Sequence, residues 1–218
     1  MNKFFVSKVA NIVKELPPQK NNPCDMLEML LRNRTSELSL NAVHPDKVLE
    51  IISNLKNSKS VGLDYIDTYI IKLIKNEILA AVTHIINLSI QTSKFPTYWK
   101  TAKVIPLLKK GDSLIAKNYR PVAILPIFSK ILERVIFMQI VEYMDINKLF
   151  HPNHHGFRKH HNTTTALLQM YDSWIEGVEN SELVGVCMLD MSAAFDVVSH
   201  QILLDKMKLY GFKEGAIN

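Results

Sequence analysis

Three groups of residues in this chain have types and spacings that could do chemistry. The first sits around a turn. The apolar run Leu183-Val184-Gly185-Val186-Cys187-Met188-Leu189 ends abruptly on Asp190, and the chain continues through Met191-Ser192-Ala193-Ala194-Phe195 to Asp196. A carboxylate held at the mouth of a sheet, beside a backbone carbonyl, can ligate a hard divalent cation. It can equally be a helix N-cap or a solvated strand end, and on residue type alone both readings stand. A phosphatase built on two aspartates two residues apart is excluded by Ser192, and the chain contains no Gly-x-x-x-x-Gly-Lys-Ser/Thr run to cradle a nucleotide phosphate. The second group is basic. Between Lys94 and Arg134 nine lysines and arginines face only Asp112 and Glu133, a surplus larger than the net +5 of the whole chain. Most of these cations read as a solvated face. Lys109 and Arg120 differ, because a hairpin would place both near one edge, where an ammonium and a bidentate guanidinium could hold a triphosphate. The third group is five histidines, His151, His154, His155, His160 and His161. No cysteine lies near them and their spacing is not that of a closed four-ligand zinc motif, so a loop without metal is expected there.

The elements that must position these groups follow from periodicity. The run 183–190 is short and rich in Val and Leu, and it reads as a strand buried on both faces. After the turn an amphipathic helix is expected, capped by Ser199, with Leu203, Met207 and Tyr210 on one face and Gly211 as its stop. Lys103 to Leu108 and Tyr119 to Leu125 read as the two strands of a hairpin with Lys109-Lys110-Gly111-Asp112 in its long tip. A helix from Ser129 to about Met144 carries Ile131, Leu132, Val135, Ile136 and Tyr143 on its apolar face. Asn162 caps another, with Leu167, Tyr171, Trp174 and Val178 on one side. Upstream, short helices are expected near Phe4 to Val13 and Cys24 to Arg34. Pro45 opens a clearer helix with Val48, Ile51, Ile52 and Leu55 on one face, and two apolar helices follow over 66–75 and 77–93. On the second of these, Ile78, Val82, Ile85 and Ser89 form the stripe. The segment 19–23 is a linker by composition.

Composition bounds the rest. The length of 218 residues suits one or two domains with an ample core. Apolar content of 47% and charged content of 22% exclude wholesale disorder. A pI near 9.1 agrees with a polyanionic partner. Two distant cysteines, Cys24 and Cys187, form no disulfide framework, and a reducing compartment is the default. No run is long enough to span a bilayer, so no membrane partner is expected, and the N-terminus lacks a signal peptide's apolar core. An intracellular location, nucleus or cytoplasm, is the expectation, and nothing marks an organelle.

Taken together the motifs carry a resemblance. Leu189-Asp190-Met191-Ser192-x-Ala194-Phe195-Asp196-x-Val198-x-His200-x-x-Leu203 resembles the first catalytic palm motif of reverse transcriptases of non-long-terminal-repeat (LINE-type) retrotransposons, with Ala193 where Lys is common. Lys59-Ser60-Val61-Gly62-Leu63-Asp64-Tyr65-Ile66 resembles the family's block preceding the fingers. Lys109-Lys110-Gly111-Asp112, Asn118-Tyr119-Arg120-Pro121 and Leu125-Pro126-x-x-Ser129-Lys130-x-x-Glu133 resemble its fingers. His155-Gly156-Phe157-Arg158 with the following threonines resembles its Gln-x-Gly-Phe-Arg…Ser-Thr block, with His154 in place of Gln and Asn162 in place of Ser. The blocks span roughly Pro45 to Phe212, in the family's order.

The resemblance implies an α+β fold: the fingers and partial palm of a right-hand polymerase behind a helix-rich extension. It implies an N-terminal extension and linker at 1–44 and an incomplete reverse transcriptase domain at 45–218, with fingers to about 180 and the start of the palm from about 181. It implies RNA-directed DNA synthesis with Mg²⁺ in the complete enzyme, on an RNA template, a DNA primer and deoxynucleoside triphosphates. Asp190 is then the catalytic metal ligand, helped by the Met191 backbone carbonyl. Lys109 and Arg120 hold the triphosphate and Phe195 screens the sugar, while Asp196 is structural. Lys59, Gly62, Gly156, Phe157 and Arg158 lie along template or primer. The family's other carboxylates form an adjacent pair on a later hairpin, and this chain has no two adjacent acidic residues. A fragment inactive by itself is therefore expected. The alternative is a non-catalytic nucleic-acid-binding remnant of the same fold; a basic helical module unrelated to polymerases explains the composition but not the block order.

Overall fold

The computed structural model describes residues 2–15, 21–32, 35–191 and 194–218. Gln19 and Lys20 of the linker segment, and Ser192 and Ala193 of the turn after Asp190, lie outside the described residues. The fold is α+β, dominated by helices, with one two-stranded sheet among the described residues. The chain divides into two units. The first comprises Met1–Tyr143 and Asp196–Asn218, and the second Met144–Phe195.

In the first unit, α1 (Asn2–Glu15) and α2 (Asp25–Leu31) precede α3 (Pro45–Asn54), which opens on a proline whose missing N–H costs nothing at that position. Its N-cap is His44, whose ring accepts from Asp46 N at 3.4 Å. The next two helices, α4 (Thr68–Leu73) and α5 (Lys75–Thr92), are separated at Ile74. Asp67 caps α4 by accepting from Ile70 N at 2.9 Å, so Asp64 lies in the turn before the helix. α5 buries Val82, Thr83, Ile86 and Ser89, while Ile85 is exposed. The face is rotated from the expected stripe, centred on Ile86 where α5 meets α3 and the core. That core joins Val48, Ile51 and Ile52 of α3 to Ile71, Val82 and Ile86, and to Ile131, Leu132 and Val135 of α6 (Ile127–Ile146). Each such side chain withdrawn from water contributes about 1.5–3 kcal/mol.

Between α5 and α6 a 3-10 turn (Thr97–Lys100) leads into β1 (Lys103–Leu108), which pairs antiparallel with β2 (Tyr119–Ile124). Lys109 N donates to Asn118 O at 2.8 Å, which makes Lys109 and Asn118 a hydrogen-bonded pair. Alternation along the ladder then puts Pro106 and Pro121, which face each other, at a non-bonded position with their nitrogens turned outward. Each proline therefore removes a donor from an outer edge and costs the ladder nothing.

The chain closes on itself through residues 35–43. Leu38 bridges in parallel to Phe212, with Leu38 N donating to Gly211 O at 2.8 Å and Lys213 N to Leu38 O at 3.0 Å. Asn41 exchanges two bonds with the Gln139 amide, and Val43 two with the Asn87 amide. These side-chain amides stand where a neighbouring strand's backbone would be. A further helix, α8 (His200–Leu209), begins at Ser199, which accepts from Ile202 N, and ends before Gly211 at φ +89°. A last short helix, α9, spans Glu214–Ile217.

In the second unit, α7 (Thr163–Glu179) opens on a reciprocal capping box. Asn162 Oδ1 accepts from Thr165 N, and Thr165 Oγ1 accepts from Asn162 N, each at 2.9 Å. It ends in a Schellman-type turn with Ser181 at φ +60° and Glu182 N bonded to Gly177 O at 2.8 Å. The run 183–190 is not a strand. It has no regular secondary structure and is solvent-exposed, with Leu183, Met188 and Leu189 each more than 80% accessible. A strand is held by a neighbour that takes its N–H and C=O groups, and among the described residues β1 and β2 pair only with each other. α7 likewise buries only Gly177 and leaves Leu167, Tyr171 and Val178 exposed.

Candidate nucleotide and nucleic-acid interface

Directly opposed residues of an antiparallel ribbon project from the same face. Arg120 opposes Leu107 and Lys109 opposes Asn118, so Lys109 and Arg120 are diagonal neighbours on one face. Both are exposed, and neither has an ion-pair partner among the described residues. The tip that carries Lys109 is stiffened from within. Asp112 Oδ1 accepts from Leu114 N at 2.8 Å, Asn118 Nδ2 donates to Asp112 O at 2.8 Å, and Tyr119 Oη donates to Ser113 O at 2.9 Å. Gly111 sits at φ +83° with no room for a Cβ beside Asn118. The ribbon therefore fixes the backbone positions from which the two cations project on one face.

The block containing Lys59 and Gly62 is placed against the end of this ribbon. A Cβ on Gly62 would lie 2.9 Å from Pro126 N and 3.1 Å from Leu125 C, so the backbones approach as only glycine allows. Lys59 is exposed. Asp64 Oδ1 accepts from Ile66 N at 3.4 Å, and Oδ2 is buried without a hydrogen-bond partner. No residue spacing signals that orphaned oxygen.

In the second unit, Asp190 and the Met191 carbonyl lie in the exposed segment after α7. Among the described residues no three His, Cys, Asp or Glu side chains gather as a metal cage. Asp190 and the Met191 carbonyl by themselves offer one carboxylate and one carbonyl oxygen, fewer donors than a divalent ion takes. His154, His155 and His161 bond the loop or the start of α7. His154 Nε2 bonds Gly156 O at 2.8 Å, His155 Nδ1 and Nε2 bond Thr165 Oγ1 and Gln169 Oε1, and His161 Nδ1 bonds Lys159 O. Arg158 is clamped, with its guanidinium 4.9 Å from the Phe150 ring centroid, 3.7 Å from Asp145 Oδ1 and donating to His154 O at 3.3 Å. Gly156 is open, with nothing within 4 Å of where a Cβ would stand. Phe157, at φ +58°, projects into solvent and meets Phe195 edge to face, their centroids 6.0 Å apart. Neither the Arg158 clamp nor this ring pair is visible in the spacing of the sequence.

The family model described as reverse transcriptase (RNA-dependent DNA polymerase) matches residues 107–218, from the end of β1 to the last helix. The chain belongs to the reverse transcriptase family. Within it, the chain is similar to the RNA-directed DNA polymerase from mobile element jockey of Drosophila funebris, 34% identical over 164 residues that cover 75% of this chain and 18% of the relative. The jockey polymerase of Drosophila melanogaster is 33% identical over 172 residues, covering 78% of this chain and 19% of the relative. The probable RNA-directed DNA polymerase from transposon X-element of Drosophila melanogaster is 28% identical over 209 residues, covering 94% of this chain and 22% of the relative. The chain thus spans 18–22% of the length of these relatives. The LINE-type resemblance read from the motifs is met by these mobile-element polymerases.

Proposed function

We propose that this chain forms the fingers and the beginning of the palm of an RNA-directed DNA polymerase of a non-long-terminal-repeat retrotransposon. Residues 45–180 are assigned to the fingers, 181–218 to the start of the palm, and 1–44 to an extension. The whole polymerase would copy an RNA template from a DNA primer with deoxynucleoside triphosphates. Lys109 and Arg120 hold the triphosphate, and Phe195 lies under the sugar. Lys59, Gly62, Gly156, Phe157 and Arg158 follow template or primer, with Arg158 also bracing the loop that carries Phe157. The observation that carries the reading is the pair of cations Lys109 and Arg120, diagonal to each other on one face of an exposed ribbon and without ion-pair partners among the described residues.

Reverse transcriptases use divalent metal ions, and Mg²⁺ is the ion proposed here, with Asp190 and the Met191 carbonyl among its ligands. Two-metal nucleotidyl transfer needs several carboxylates around the ions. Asp190 and the Met191 carbonyl alone fall short of that number, and no chemical step is assigned to this chain through a metal. The same observation favours a second reading for the chain by itself, a nucleic-acid-binding unit without catalysis.

The test is binding of the chain to a primer–template duplex across a salt series. Affinity is expected to fall steeply as salt rises. Lys109→Glu with Arg120→Glu is expected to weaken binding and to flatten the slope by roughly one for each phosphate no longer neutralised. Unchanged affinity and slope for the duplex, together with unchanged binding of a deoxynucleoside triphosphate, would reduce the ribbon to a solvated face and remove the reading's main support.

A further inference from the structure

The geometry points to a role for Phe157 that the motif by itself does not assign: we propose that it is a positioning residue for Phe195, setting the ring that discriminates the sugar of the incoming nucleotide. The inference rests on the reading of Phe195 as the sugar screen. Two blocks far apart in sequence meet at this one contact, with ring centroids 6.0 Å apart and planes at 83°. Phe157 is 88% exposed and Phe195 82%, so neither ring is held by burial in a core. An exposed phenylalanine samples several staggered rotamers. A second ring presented edge-on favours one of them, through the attraction of its positive edge for the other's negative face.

Phe157 is itself fixed by its backbone. It occupies the left-handed region at φ +58°, which a bulky residue adopts only when its surroundings impose it. The surroundings here are explicit. His154 Nε2 holds the Gly156 carbonyl on one side. On the other, Arg158 is clamped by Phe150, Asp145 and the His154 carbonyl. The loop thus holds an aromatic ring outward from two anchored neighbours, and the ring it meets is the one that follows Asp190 by five residues. In this arrangement the anchored backbone is that of Phe157, and its ring offers an edge to Phe195.

The test is a double-mutant cycle in a polymerase that contains this segment and extends a primer on RNA. The quantity read is the ratio of kcat/KM for a deoxynucleotide to that for the matching ribonucleotide. Phe157→Ala is expected to lower that ratio roughly two- to tenfold, the range of one edge-to-face pair. In a Phe195→Val background it is expected to change the ratio no further, because the ring it positions is gone. Phe157→Tyr keeps the ring edge and is expected to hold the wild-type ratio. If Phe157→Ala does not fold, Phe157→Leu fills the space without a ring edge and serves in its place. An equal effect in both backgrounds, or none while Phe195→Val alone alters the ratio, overturns the positioning role and leaves the sugar screen standing. If Phe195→Val leaves the ratio unchanged, the sugar-screen reading fails first and the inference falls with it.

Discussion

Gly211 is the point at which one added methyl group should do the most damage. It sits at φ +89°, immediately after α8, where the strap 35–38 crosses the chain. A Cβ there would run into the Ser36 carbonyl and lie 2.6 Å from Tyr143 Oη and 3.3 Å from Ser36 C. None of these atoms is the free end of a flexible side chain. The strap is pinned by Leu38 N to Gly211 O and by Lys213 N to Leu38 O. Tyr143 Oη lies 2.7 Å from Tyr210 O and 2.9 Å from Ser36 O, and its ring packs edge to face with Phe212. Placing an L-residue at this φ costs about 1–2 kcal/mol, and forcing a methyl into filled space about 1–3 kcal/mol more. Adding these two costs, Gly211→Ala should destabilise the chain by about 2–5 kcal/mol. For a chain of this size that lowers Tm by roughly 5–15 °C, measured by circular dichroism alongside a urea midpoint. Gly156→Ala is the control, because nothing stands within 4 Å of its Cβ position. If Gly211→Ala melts with the wild type, the strap does not cross Gly211 tightly enough to exclude a methyl group.

Asn162→Ala should remove the Asn162 Oδ1 arm of the capping box on α7 while keeping the backbone N–H that bonds Thr165 Oγ1, costing about 0.5–2 kcal/mol. Hydrogen exchange should then quicken at the amides of Thr165 and Ala166 and stay unchanged in α5. The Asp205 carboxyl is held below the usual carboxylate range, first by the Gln201 amide at 3.1–3.2 Å and then by the Lys208 ammonium at 3.3 Å. Its lowered value in the folded chain means that whatever stability it adds is present at neutral pH and lost as pH falls through that value. Titration followed by nuclear magnetic resonance should show Gln201→Ala moving Asp205 upward; no movement would assign the depression to Lys208 alone.

Much of the fold was legible where a local rule acts alone. Pro45 opening α3, Asn162 and Ser199 as caps, Gly211 as a stop and the hairpin around Lys109-Lys110-Gly111-Asp112 each depend on a few neighbouring atoms. What was not legible depends on partners distant in sequence. The run 183–190 has the composition of a buried strand, but a strand exists only with an edge to pair to, and here it lies exposed. The face of α5 turned from Ile85 to Ile86 because the direction of the α3 contact, not the helix period, decides which side is buried. The same division runs through the site. Residue types and spacing singled out Lys109, Arg120, Asp190 and Phe195. That Gly62 abuts Pro126, that Arg158 is locked on Phe150 and that Phe157 meets Phe195 are tertiary facts with no periodic trace.

On the proposed reading this chain carries binding elements of a reverse transcriptase and is expected to bind primer–template without extending it. The decisive measurement is primer extension on an RNA template with the purified chain, Mg²⁺ and deoxynucleoside triphosphates. No incorporation above background is expected at any protein concentration, with primer–template binding retained in the same samples. Mg²⁺-dependent incorporation that disappears in Asp190→Ala would overturn that separation of binding from catalysis.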